Sequence, residues 1–347
     1  MLEGPVENIV SQVPVDLDGF SAALESEGIV VEHNVALASR TYLRTGGTAQ
    51  LILHPTTVDE LALCIARLHS SGQAYKLIGN TSNLLFRDEA SYAVLVSTMR
   101  LDCIEYDAAN GNIVAECGVM MPDLSRVALW NNIEGFEGLE GIPGTIGGGI
   151  FMNAGAYGTE LKDKLESAIV IRSDGRVQEI DGTELGLTHR ASALRRGEFD
   201  GIVAKCTFRA EPGDPQEIFH KMEVFHAKRH KYQDFMYPNL GSIYSGSPYR
   251  VLARKDLKFK ILSALFLLFR YEYKVFHRES PLNRKWLNDL LLERFDFEYE
   301  RQPFSDKTLN CLVNRGQGTD EMIRFINQME AMVGDSIPLE NEIVEGF

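Results

Sequence analysis

The densest glycine cluster in the chain is Glu140-Gly141-Ile142-Pro143-Gly144-Thr145-Ile146-Gly147-Gly148-Gly149, followed by Asn153-Ala154-Gly155-Ala156-Tyr157-Gly158. Only glycine lets several backbone N–H groups approach an anion without interference from a Cβ, so the cluster reads as a phosphate cradle. The other reading is a set of tight turns at the corner of a β domain. A P-loop would end in Gly-Lys-Ser/Thr, and a dinucleotide fingerprint needs G-x-G-x-x-G between strand and helix; neither is present. A second polar turn, Gly79-Asn80-Thr81-Ser82-Asn83, follows a strand in a β-α-β unit. Two such loops can grip the two ends of a pyrophosphate.

With 347 residues the chain is long enough for two or three domains. It carries 35 Lys plus Arg against 49 Asp plus Glu, a formal charge of −14, and such a surface repels nucleic acid. The five cysteines, Cys64, Cys103, Cys117, Cys206 and Cys311, are widely spaced and form no metal motif, which suits reduced thiols. The start Met1-Leu2-Glu3-Gly4-Pro5-Val6-Glu7 has no signal-peptide pattern, so a cytoplasmic protein is expected. The longest apolar run, Ile261 to Phe269 with Ser263 allowed, falls far short of the roughly 20 residues of a membrane span.

Residues 1 to about 33 are expected to form a helical lead-in. Leu51 to Leu53 is a short strand, Thr57-Val58-Asp59-Glu60 a capping box, and Val58, Leu61, Ile65 and Leu68 recur at helical spacing until Ser70-Ser71-Gly72. Strands at Tyr75 to Ile78 and Ala93 to Ser97 complete a β-α-β-β reading of the first hundred residues. Beyond 101, strands are expected at Cys103 to Asp107, Asn112 to Cys117, Ser167 to Arg172, Val177 to Ile180 and Val203 to Arg209, with a helix from Met121 to about Asn131. Glu211-Pro212-Gly213-Asp214-Pro215 marks a boundary. No glycine occurs between Gly246 and Gly316, and that Leu-, Phe- and Lys-rich interval reads as helix. A closing β-α-β is expected from Asn310 to Val313, Thr319 to Val333 and Leu339 to Val344.

The glycine cluster, together with Arg44-Thr45-Gly46-Gly47-Thr48-Ala49 and Gly79 to Leu85 in the same order, resembles the signature of the UDP-N-acetylenolpyruvoylglucosamine reductase family. The resemblance spans roughly residues 34 to 245 and 305 to 345. It implies an α+β fold: a two-part FAD-binding domain of the vanillyl-alcohol-oxidase (PCMH) type at 34–100 and 101–211, after the lead-in 1–33. A C-terminal α/β substrate domain at 212–347 would follow, with a helical insertion at about 249–304. Thr48 follows Gly46-Gly47 where covalent relatives of that fold carry a His, so noncovalent FAD is implied. The FAD contacts implied are Gly79, Asn80, Thr81, Ser82 and Asn83 on one loop, Gly141, Ile142, Pro143, Gly144, Thr145, Gly147 and Gly148 on the other, and Asn153, Ala154 and Gly155 after it.

The family's reaction moves hydride from NADPH through FAD to an enolpyruvyl ether of a UDP-sugar, leaving an enolate that needs a cation and a proton donor. His189-Arg190-Ala191-Ser192 resembles the family's Tyr-Arg-x-Ser and implies Arg190 as that cation. Pro238-Asn239-Leu240-Gly241-Ser242-Ile243-Tyr244 resembles Pro-x-x-Gly-Ser-x-Phe and implies Ser242 as proton donor. Leu339-Glu340-Asn341-Glu342-Ile343 resembles the C-terminal Leu-x-x-Glu-Val strand and implies Glu342 as the acidic partner. Arg229, in an Arg-x-x-x-Gln run, is implied at the UDP phosphates, and Tyr157 beside the substrate.

The chain departs from the pattern where substrate binds. Ser245-Gly246-Ser247-Pro248 replaces the family's Lys-Asn-Pro continuation, and Thr308 stands where a His is expected. Two alternatives follow from this: a flavoprotein acting on another sugar nucleotide, or an inactive FAD-binding partner protein. Ile261 to Phe269, flanked by Arg254, Lys255, Lys258, Lys260, Arg270 and Lys274, reads as a core helix, with an interfacial helix or docking surface as the other reading. Self-association through 249–304 is a further expectation.

Overall fold

The computed structural model describes residues 16–268 and 284–347. Its first sheet has the order Val30–Ala36, Thr48–His54, Ser91–Ser97, Tyr75–Ile78. The first pair is antiparallel and the other two are parallel. Leu51, Ile52 and Leu53, and beside them Val94, Leu95 and Val96, are buried in unbroken runs because both faces of these central strands are covered. Leu51, Leu53, Val94 and Val96 pack on Leu61, Ile65 and Leu68 of the helix Val58–Ser71, while Ile52 and Leu95 join Phe86, Tyr92 and Val344 on the other side.

That helix begins where the sequence places it. Thr57 Oγ1 accepts from the Glu60 amide at 3.1 Å, and Gly72 ends the helix at φ 64°. The reciprocal half of the box is offset by one residue: the Glu60 carboxylate accepts from the Thr56 amide and hydroxyl at 2.6 and 2.8 Å. The far side of the helix meets Ile171 and Ala204 of a second, antiparallel sheet, so it is shared between two layers. This sheet has the order Val177–Asp181, Leu165–Ile171, Ile202–Arg209, Asn112–Glu116, Ile104–Asp107. Its other face packs on the helix Met121–Trp130 and on the short helix Ile146–Met152 through Leu124, Ala128, Ile146, Ile150, Val170 and Phe208.

The third cluster of buried side chains gathers Tyr244, Leu252, Phe259, Leu291, Leu312, Met322 and Phe325. Apart from Tyr244, which bridges to Leu339, they come from a small sheet of Asn239–Ser242, Thr308–Val313 and Phe304–Ser305 and from the helices Pro248–Lys255, Leu257–Phe266, Lys285–Arg294 and Thr319–Val333. Within the expected insertion the described helices end at Arg294; residues 269–283 of that expectation lie outside the described residues.

Two expectations are corrected. Of the lead-in, residues 1–15 lie outside the described residues and Leu17–Ser26 is helical, but Val30–Ala36 is an edge strand that runs through position 33. The closing β-α-β does not form one unit either. Its last strand is shorter, Glu342–Val344, and pairs in parallel with Leu84–Phe86 of the first hundred residues rather than beside Thr308–Val313. The Glu342 amide donates to the Asn83 carbonyl at 3.0 Å and the Tyr92 hydroxyl to the Val344 carbonyl at 3.0 Å. This pairing sets the chain's C-terminal end against the loop 79–83.

Candidate active site

The strand Tyr75–Ile78 delivers the loop 79–83 directly against the glycine cluster. The Asn80 side-chain amide donates to the Pro143 carbonyl at 2.7 Å. A Cβ on Gly79 would stand 2.4 Å from Thr145 Oγ1, and one on Gly144 would stand 2.7 Å from Met121 Cε and 3.6 Å from Ser82 Oγ. Thr81 is held at φ 54° by its hydroxyl, which accepts from the Tyr42 amide at 2.8 Å. Among the described residues, no protein acceptor meets the backbone amides of Asn80, Thr81, Ser82, Asn83, Gly144 and Thr145. Backbone donors without protein partners, in two loops packed so closely that Gly79 and Gly144 have no room for a Cβ, fit the phosphates of a dinucleotide cofactor.

The rest of the cluster is used inside the protein. Residues 146–152 form a helix capped by Thr145, whose hydroxyl accepts from the Gly148 amide at 3.4 Å. The Gly147 amide donates to the Cys117 carbonyl at 2.8 Å, and a Cβ there would meet Cys117 Cβ at 3.0 Å, so this glycine allows close packing on the second sheet. The Ile142 amide donates to Leu139 and the Ala154 amide to Gly149. Gly155 pairs with Glu160 in a hairpin, where a Cβ would lie 2.1 Å from the Thr159 carbonyl. Asn153 is fully buried at φ 42°, donating to the Thr188 carbonyl at 2.8 Å and to Glu160 at 3.1 Å. The amides of Ile142, Gly147, Gly148 and Ala154 are thus already met within the protein, and these residues shape the support of the loop.

Arg190, Ser242 and Glu342, far apart in sequence, converge on the segment 339–342. Arg190 sits at φ 54° in the tight turn closed between Thr188 and Ala191. Its Nε forms an ion pair with Glu340 Oε1 at 3.0 Å, and its carbonyl accepts from Arg195 at 3.0 Å. Arg195 also reaches the Leu339 carbonyl at 3.2 Å, and burial pulls its guanidinium below its ordinary value. Ser192 is buried and structural: its hydroxyl donates to the Phe151 carbonyl at 2.7 Å, tying the turn to the glycine helix. The Asn341 side chain, 3 % exposed, donates to Asn83 Oδ1 at 2.9 Å and to the Ser242 carbonyl at 3.2 Å. Glu342 is ion-paired with Lys76, from the strand that feeds the first loop. Lys76, Glu340, Asn341 and Arg195 are site residues the sequence reading missed.

Arg229 lies behind the glycine loop. It is 3 % exposed on the helix Pro215–Tyr232 and donates to the Gly138 carbonyl at 3.0 Å. Its guanidinium lies 5.3 Å from the Tyr157 ring, and its Nε has no hydrogen-bond partner. A Cβ on Gly141, which sits at φ 78°, would be 2.9 Å from Arg229 Cδ, so this arginine props the glycine loop from behind. Burial lowers its pKa, which also suits a position away from solvent. Tyr157 stacks on Phe225 at 4.6 Å with the rings 10° apart, and remains 40 % exposed and reachable.

Comparison with known proteins agrees with this geometry. The family described as an FAD binding domain matches residues 49–181, which include both loops. UDP-N-acetylenolpyruvoylglucosamine reductase of Carboxydothermus hydrogenoformans is 35% identical over 228 residues, 66% of this chain and 74% of that protein. The reductase of the same name from Lactobacillus gasseri is 33% identical over 221 residues, 64% of this chain and 72% of that protein. The crystal structure of UDP-N-acetylenolpyruvylglucosamine reductase from Thermus caldophilus superposes with a TM-score of 0.64 at 23% identity, over 91% of this chain and 99% of the other, and so shares the fold. With a relative at this identity covered over most of its length, the chain belongs to the UDP-N-acetylenolpyruvoylglucosamine reductase family.

Proposed function

We propose that this protein is an FAD-dependent oxidoreductase that reduces UDP-N-acetylglucosamine enolpyruvate to UDP-N-acetylmuramate with NADPH, in the cytoplasmic synthesis of peptidoglycan precursors. The observation that carries the proposal is the contact between the loops 79–83 and 141–145 beside the convergence of Arg190, Ser242 and Glu342. The amides of Asn80 to Asn83, Gly144 and Thr145 would hold the cofactor's phosphates. Bound FAD supplies a two-electron carrier that takes hydride from a nicotinamide and gives it to carbon.

Reduction of an enolpyruvyl ether places hydride on the methylene carbon and an electron pair on its neighbour, delocalised into the carboxylate. Arg190 is oriented by Glu340 at Nε, which leaves its terminal nitrogens for that carboxylate. The exposed Ser242 hydroxyl gives its proton to the carbon and is reprotonated from solvent. Glu342, fixed by Lys76, would stand beside that centre as the acidic partner of the site. Residues 212–347 would then form the substrate-binding part, with the two sheets before them as the cofactor-binding part.

The test is direct. The purified protein is expected to be yellow, to release intact FAD on denaturation, since Thr48 offers no covalent link, and to sustain turnover of NADPH beyond one equivalent per flavin only when UDP-N-acetylglucosamine enolpyruvate is present. A yellow protein inert toward that substrate but active with another UDP-sugar would move the function to a second sugar nucleotide. A colourless protein that takes up no FAD would end the flavin reading.

A further inference from the structure

The apolar run of the last third is neither wholly core nor wholly exposed. In the helix Leu257–Phe266, Phe259 and Ser263 are buried, and Phe266 packs on the same core. Leu257 is 70 % exposed, Ile261 52 % and Leu265 46 %, with Leu268 just beyond the helix at 42 %. At about 100° per residue, Leu257, Ile261 and Leu265 share one arc of the helix, Lys258 and Lys260 border that arc on its two sides, and Phe259 and Ser263 lie opposite. Arg254 stands at the exposed end of the preceding helix. Among the described residues, no carboxylate forms an ion pair with Arg254, Lys258 or Lys260. Trp286 of the helix Lys285–Arg294 stacks on Phe266 at 5.4 Å and is itself 49 % exposed.

We propose that this face of Leu257–Phe266 docks the protein onto an anionic lipid surface, with Leu257, Ile261, Leu265 and Leu268 entering the headgroup boundary and Lys258, Lys260 and Arg254 meeting lipid phosphates. Lysines on both edges of an apolar arc are the arrangement that an interfacial helix uses, because their stems lie along the apolar surface while the ammonium groups reach outward. The local positive charge of this face, on a chain whose formal charge is −14, argues for an anionic lipid surface over a second copy of the chain. Self-association through this arc would bring two lysine-bordered stripes together. The area agrees: four side chains make a patch on the order of a few hundred Å², against about 800 Å² per partner in a stable protein interface. No helix among the described residues is long and apolar enough to cross a membrane, so the contact is with the surface.

The experiment is flotation of the full-length, FAD-loaded protein with vesicles of phosphatidylglycerol and phosphatidylcholine, or of phosphatidylcholine alone. Binding is expected to the anionic vesicles only, and to weaken with added salt. The Lys258→Ala/Lys260→Ala pair is expected to weaken it about tenfold or more, and Ile261→Asp/Leu265→Asp to abolish it. These side chains are exposed, so retained FAD and an unchanged melting temperature separate a docking defect from a folding defect. No binding by wild type, or wild-type binding by either double variant, overturns the proposal. So does a concentration-dependent dimer, lost in Ile261→Asp/Leu265→Asp, without vesicle binding.

Discussion

The two halves of the site are built from different material. The loops 79–83 and 141–145 present backbone groups, and their defining residues are small because a neighbour occupies the space where a Cβ would be, as Thr145 does at Gly79. The turn at Arg190 and the segments 238–245 and 339–342 present side chains, and each piece is held by a partner from elsewhere: Arg190 by Glu340, Glu342 by Lys76, and the Ser242 backbone by Asn341. A backbone-built half tolerates little change in shape but is indifferent to charge, whereas the side-chain half depends on a few polar contacts. Asn341 joins them, since its amide reaches Asn83 of the first loop as well as Ser242.

Two substitutions separate the halves. Gly79→Ala puts a methyl 2.4 Å from Thr145 Oγ1 and forces the cap of the glycine helix to move. Overpacking of this kind costs about 1–3 kcal/mol, so FAD should bind roughly tenfold to a hundredfold more weakly by fluorescence titration, with the C-terminal core intact. Wild-type affinity would mean that the two loops do not share a ligand. Asn341→Ala removes donors to Asn83, Leu240 and Ser242 and should lower stability by about 1–3 kcal/mol in urea titrations. It should retain FAD yet slow substrate-driven flavin reoxidation; equal losses in both half-reactions would contradict its role as the joint between halves.

The smallest effect is expected at Glu160. Its carboxyl is held below the ordinary value of 4.5 chiefly by the hydrogen bond from Lys162, then by those from His189 and Asn153. A depressed carboxylate stabilises the fold above its unfolded pKa, and this contribution is lost as pH falls through the folded one. Glu160→Gln should therefore leave acid stability less steep below about pH 4.5 while stability at pH 7 drops slightly. An unchanged acid limb in thermal melts would show that the Asn153–Thr188 support does not feel this charge.

Much of the backbone-built half was legible in the sequence, because the signals are local. Thr57 and Gly72 bracket their helix, and the helix Thr319–Val333 follows its apolar spacing. The strand Val30–Ala36 was hidden because its side chains are largely exposed at a sheet edge and show no buried alternation. Which glycines face a ligand was also hidden: Gly144 and Gly147 look alike in sequence, and only the Cys117 carbonyl reveals that the Gly147 amide is already taken. In the side-chain half the motifs marked Arg190, Ser242 and Glu342, but not what holds them. Lys76 and Glu342 are 266 positions apart, and Asn83 and Asn341 258, so no local pattern links them.

The central claim is that the convergence around Asn341 is a proton-donating site for a reduced enolpyruvyl ether. Stopped-flow measurement of the two half-reactions in wild type and Ser242→Ala tests it. Flavin reduction by NADPH should be nearly unchanged, while reoxidation by UDP-N-acetylglucosamine enolpyruvate should slow by ~10²–10⁴-fold, the usual worth of general acid help. Reoxidation of the variant at the wild-type rate would contradict the assignment of Ser242.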